Sequence, residues 1–146
     1  MRVRRQDRPR IGDYAHSRDK TVRAARQSTF FELLEMGELD EVRFVAALEQ
    51  VDEYARRFRE SPIYYNLVKY KEIVRAVLRA LIEKSFMVDE HSFHDYRGRR
   101  RLFMLVRTVD DKLEELTRLF LRQQLSGLEL VARLDEIRGL LLDLYL

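Results

Sequence analysis

The chain has 146 residues, 46% of them hydrophobic and 36% charged, with 28 Lys and Arg against 25 Asp and Glu and a net charge of +3. That supplies one domain with a core and a densely charged surface. There is no Cys, which excludes disulfides, thiolate metal sites and Cys nucleophiles, and no apolar run approaches the ~20 residues that a bilayer-spanning helix needs. The basic N-terminus has no apolar stretch behind it, so it does not read as a secretory signal. The lack of Cys fits a reducing compartment, and a cytoplasmic, membrane-free protein is expected. One Asn and five Gln among so many charges point toward a heat-adapted source.

Residues 1–28 carry nine basic residues, among them Arg2, Arg4, Arg5, Arg8 and Arg10, against three acids (Asp7, Asp13 and Asp19). With Pro9, Gly12 and almost no apolar period, this stretch reads as a flexible basic arm on a mildly acidic body. A single helical domain is expected over 29–146. "TFFE" at Thr29–Glu32 is a capping box that starts a short helix, which Gly37 can end.

The first long helix is expected from about Asp40 to Phe58. Phe44, Leu48, Val51, Ala55 and Phe58 repeat at intervals of four and three, and Val42 and Val45 widen that face. "ESPIYY" breaks it. Pro62 suits a first helical position and Ser61 can cap. The second helix then runs to about Lys84 on a stripe of Ile63, Leu67, Tyr70, Val74, Val77 and Leu81. In "YYNLVKYK" Tyr70 belongs to that stripe, while the lysines read as solvated. Residues 85–100, "SFMVDEHSFHDYRGRR", lose the period and read as a loop. A third helix begins near Arg101, with Leu102, Val106, Val109, Leu113, Leu116 and Phe120 inward.

Ser126 and Glu129 form a second capping box, opening the last helix, with Leu125 and Leu130 placed to staple it. Its stripe is Leu130, Leu134, Ile137, Leu141 and Leu144. Leu128, Val131, Leu142 and Leu146 spread round the far side, so coverage on several sides is expected. Gly139 costs about 1 kcal/mol against Ala in mid-helix, which predicts close approach of another backbone there. Short connections join these helices, so the expected fold is all-α: an up-down bundle of four long helices plus a short N-terminal one.

"LDEIRGLLLDLYL" at the C-terminus resembles the closing signature of the YaaR-like bacterial proteins, a helical family of unknown function. "YNLVKYKEIVRAVLRALIEKSF" and "LVRTVDDKLEELTRLFL" are similar to its middle helices. The likeness covers roughly residues 60–146, and more loosely the stretch from 29. It implies a cytoplasmic helical bundle and carries no catalytic residue with it, because core patterns identify folds rather than activities.

Three constellations bear on function. The arm's arginines can neutralise phosphates or carboxylates. Of Arg97, Arg99, Arg100 and Arg101, three lie at a helix start and set positive charge against the helix dipole, where an anion or partner would offset it; Asp89, Glu90 or Asp95 could also neutralise it. Asp89, His91 and His94 have the chemistry of a divalent-metal site, though not the spacing of a strong one. The expectation is a non-enzymatic interaction module that binds a protein or nucleic-acid partner through Arg2, Arg4, Arg5, Arg8, Arg10 and the 97–101 arginines, with no cofactor. A homo-oligomer that buries part of the last helix is compatible with it. The alternative is a metal-dependent enzyme or metal-binding protein using the 89–95 loop.

Overall fold

The computed structural model describes residues 39–89 and 96–146. Four helices account for nearly all of them: α1 (Glu41–Glu60), α2 (Tyr64–Asp89), α3 (Tyr96–Leu121) and α4 (Gly127–Tyr145). The expected arm, the "TFFE" helix and their boundary lie outside the described residues.

α1 starts where the Asp40 carboxylate accepts a hydrogen bond from the Arg43 N–H at 2.8 Å. Glu41 follows in the first turn, where negative charge suits the dipole. The predicted stripe is buried at Phe44, Leu48, Val51 and Phe58. Val42 and Val45 are instead exposed, at 78% and 49%: they sit one and two positions off the stripe, past the edge that a neighbouring helix covers.

The first turn differs from expectation. Ser61 closes α1, its N–H bonded to the Arg57 carbonyl, and does not cap α2. The Ile63 N–H reaches the Ser61 carbonyl at 2.8 Å, a three-residue turn centred on Pro62, whose ring fixes φ near the value such a turn needs. Ile63 thus stands before α2, half exposed. The Asn66 side chain donates to the Ser61 carbonyl at 2.8 Å and ties the turn down. Along α2 the stripe of Leu67, Tyr70, Val74, Val77 and Leu81 is buried throughout.

α2 continues to Asp89 and α3 begins at Tyr96, so most of the expected 85–100 loop is helix. The apolar period is weak there for a packing reason. Near Lys84 both shorter helices come to an end, α4 with Tyr145 stacked on Phe44 of α1 at 4.0 Å and beneath the Lys84 ammonium at 3.9 Å. Beyond that level, among the described residues, α2 and α3 lie past the ends of α1 and α4. A helix with one neighbour among the described residues needs only a narrow apolar seam toward it.

α3 ends in a Schellman turn. The Gln123 N–H bonds to the Phe120 carbonyl and the Gln124 N–H to the Leu119 carbonyl, at 3.1 and 3.0 Å. Gln123 takes the left-handed conformation, φ 55°, that this turn requires. Ser126 then caps α4 by accepting the Glu129 N–H at 3.2 Å.

The helices alternate in direction. α1 packs on α2 and α4, α3 packs on α2 and α4, and α2 also touches α4. Three of the four seams carry an ion pair at the rim: Arg138–Asp52 at 2.9 Å, Arg75–Glu114 at 2.8 Å and Lys112–Glu136 at 3.2 Å. Exposed pairs add little stability, but they favour this neighbour order over others. The core between them is apolar: among the described residues its buried side chains are hydrophobic, with phenols only at Tyr54 and Tyr70. The far side of α4 is less covered than its sequence suggests. Leu128 is 84% exposed and Leu146 97%. Among the described residues, a Cβ on Gly139 would meet nothing within 4 Å, so no described backbone approaches it.

Candidate partner-binding surface

α3 carries no acid in its first turn. The structure places all four expected arginines within the helix, because it opens at Tyr96 rather than at Arg101. Arg97, Arg99, Arg100 and Arg101 are all exposed. Positive charge beside the unpaired N–H groups of a helix start is unfavourable by about 0.3–1 kcal/mol per residue. Arg97, Arg100 and Arg101 form no ion pair with any described residue. They line a depression with Met104, Leu105 and Thr108. Met104 is 62% exposed, and Phe103 beside it 51%. The Thr108 hydroxyl donates to the Met104 carbonyl at 2.8 Å.

Further along α3 the charge changes sign at Asp110, Asp111, Glu114 and Glu115. Glu114 takes Arg75 at 2.8 Å and Lys71 at 3.4 Å. The field of the Lys71 ammonium, with these hydrogen bonds, holds its carboxyl below the usual carboxylate range. Glu115 pairs with Arg133 of α4 at 3.1 Å. Asp111 is exposed and has no partner among the described residues. The outer face of α3 is therefore a basic turn and a half, an apolar spot, then an acidic turn. The arginine cluster was legible in the sequence. Met104 and Asp111 were overlooked, although a helical wheel begun at Tyr96 would have put them on its face.

Two other features stand apart from this surface. At the opposite end of the bundle, Pro62, Phe120, Leu121, Leu125 and Leu130 enclose an apolar groove of about 540 Å³ with Arg59 at its edge. Between α1 and α4, a smaller cleft is lined by Asp52, Asp135 and Arg138. The Tyr70 hydroxyl is buried without a hydrogen-bond partner. Burial foremost, then the negative charges of Asp52 and Asp135, push its pKa well above the ordinary 10.0.

The arm residues Arg2, Arg4, Arg5, Arg8 and Arg10 lie outside the described residues, as do His91 and His94. Asp89 is placed as the last residue of α2. No cluster of three or more His, Asp or Glu with metal-binding geometry occurs among the described residues. None of the described helices is long and apolar enough to cross a membrane.

Comparison with known proteins gives consistent matches. The sequence model of a protein family of unknown function, DUF327, matches residues 6–145. The uncharacterized protein YaaR of Bacillus subtilis is 28% identical over 98 residues, 67% of either chain. The crystal structure of protein TM1646 from Thermotoga maritima, from the same family, superposes with a TM-score of 0.59 and 28% identity. That match spans 86% of this chain and 96% of the other.

Proposed function

Because this chain belongs to the DUF327 family, whose function is unknown, we propose its role from its own surface: a non-enzymatic interaction module that holds an acidic protein partner on the outer face of α3. One observation carries the reading. Arg97 opposes the helix dipole in the first turn of α3, and Arg97, Arg100 and Arg101 form no ion pair with a described residue and line a depression beside the exposed Met104. A local rule broken without return among the described residues marks a place where a partner can supply it. Carboxylates on a partner would take the guanidinium groups in two-pronged contacts, and an apolar side chain would cover Met104 and Leu105.

The same face argues against nucleic acid. The basic stretch ends within about 15 Å of helix, before Asp110 and Asp111. A phosphate backbone continuing along α3 would meet repulsion, and so few phosphate contacts give weak affinity. The arm's Arg2, Arg4, Arg5, Arg8 and Arg10 would add long-range attraction for the same acidic partner.

The test is fluorescence anisotropy with labelled poly-glutamate and a labelled DNA duplex. It compares the full chain with an Arg97→Glu, Arg100→Glu, Arg101→Glu variant at low and moderate salt. Poly-glutamate should bind the native chain, weaken with salt, and lose about tenfold or more in affinity in the variant. Equal binding by both chains overturns the reading. Tighter binding of duplex than of peptide transfers the surface to nucleic acid.

A further inference from the structure

The outer face of α3 is complementary to itself. At about 100° per residue, Arg97, Met104, Thr108 and Glu115 fall close to one line along the helix. Arg100 and Asp111 lie together on its flank toward α2, the side on which Glu114 meets Arg75. In an antiparallel helix pair related by a two-fold axis, each flank meets the same flank of the other helix, and every contact occurs twice. The positions then pair about a common midpoint. Arg100 and Asp111 centre between residues 105 and 106. Arg97 and Glu115, like Met104 and Thr108, centre on 106. One axis through this point therefore sets Arg100 of each copy against Asp111 of the other and Arg97 against Glu115, with Met104 and Thr108 packed across the centre.

We propose that the acidic partner of this surface is a second copy of the chain, joined through antiparallel α3 helices about a two-fold axis near residue 106. The inference rests on the reading of α3 as a partner-binding face. The exposed groups match its needs. Asp111 has no partner among the described residues, and Met104 is 62% exposed at the centre of the pattern. Glu115 keeps about a third of its side chain open beyond Arg133, enough to accept a second guanidinium. On the other flank, Arg101 would approach Lys112 of the copy, and Glu136 already neutralises that ammonium at 3.2 Å. The paired stretch spans about 27 Å of helix, small for an interface, so the dimer forms and dissociates with concentration.

Sedimentation equilibrium of the full chain across micromolar to millimolar concentrations tests this. A monomer–dimer equilibrium that weakens with salt is expected. Arg100→Asp and Asp111→Arg should each raise the dissociation constant about tenfold or more, because each sets like charges opposite twice. Combined in one chain, they should restore it. The chain has no Cys, so mixing a Met104→Cys chain with a Thr108→Cys chain should give a mixed disulfide dimer on oxidation. A chain that stays monomeric at millimolar concentration, a dimer indifferent to both reversals, or no mixed product overturns self-pairing. Poly-glutamate binding that depends on the arginines would then still leave the acidic-partner reading standing, so the two fail separately.

Discussion

Tyr70 is fully buried, and its hydroxyl lacks a partner among the described residues. A buried hydroxyl left unbonded costs about 1–3 kcal/mol. Tyr70→Phe removes that cost while keeping the ring, so chemical denaturation should show a variant that is equal or more stable by about 1 kcal/mol. The phenol also sets a limit at high pH. Its folded pKa is raised above the ordinary 10.0, so the folded chain resists ionisation that the unfolded chain accepts. Its contribution is whole below pH 10 and falls as pH rises beyond it. Tyr70→Phe should therefore lose less stability above pH 10 than the native chain, measured by melting in a pH series. Gln123 is the other residue at odds with its place. Its left-handed φ of 55° costs a side-chain-bearing residue about 1 kcal/mol. Gln123→Gly should raise the melting temperature, and a fall would mean that the glutamine side chain contributes something the backbone does not reveal.

At the scale of the element, α3 combines two opposing demands. Its inward stripe at Val109, Leu113 and Leu116 is fully buried, which holds it in the bundle. Its first turns carry charge of the wrong sign for a helix start. Replacing Arg97, Arg100 and Arg101 with Glu should therefore stabilise the fold by about 1 kcal/mol in total, while removing the binding surface. A variant that is more stable yet deficient in partner binding would separate function from folding in one experiment; a less stable one would show that these arginines serve the fold. The same helix marks how far its sequence could be read. Stripes repeating every three and four residues were visible wherever a helix has several neighbours, as at Leu67, Val74 and Leu81. They faded from Ser85 to Arg100, where Ser85–Asp89 and Tyr96–Arg100 are nonetheless helical. The α1–α2 turn was misjudged because Pro62 serves a helix start and a tight turn equally well. Leu128 was read as covered on apolar composition and Gly139 as a close-approach point on its helix cost, but neither signal says which side of α4 has a neighbour.

For the whole molecule, the rim charges matter through pH and order rather than through large energies. Arg56 chiefly, joined by Arg57, holds the Glu53 carboxyl below its usual range, as Lys71 and Arg75 hold Glu114. Lowered folded values mean that this stabilisation is present above about pH 4.5 and is lost as pH falls through them. α2 and α3 are 26 residues long, against 20 and 19 for α1 and α4. Among the described residues, the excess runs past Tyr145 as a two-helix spur that carries the arginines. Among the described residues, hydrogen exchange should find this spur first to open: amides of Ser85–Asp89 and Arg97–Arg101 should exchange well before those around Val77 and Leu113. Its fraying is then a reservoir of disorder beside the binding face. A partner that closes on α3 must quench that motion, so its affinity will be set partly by entropy spent in stiffening the spur, and protection of those same amides will report occupancy.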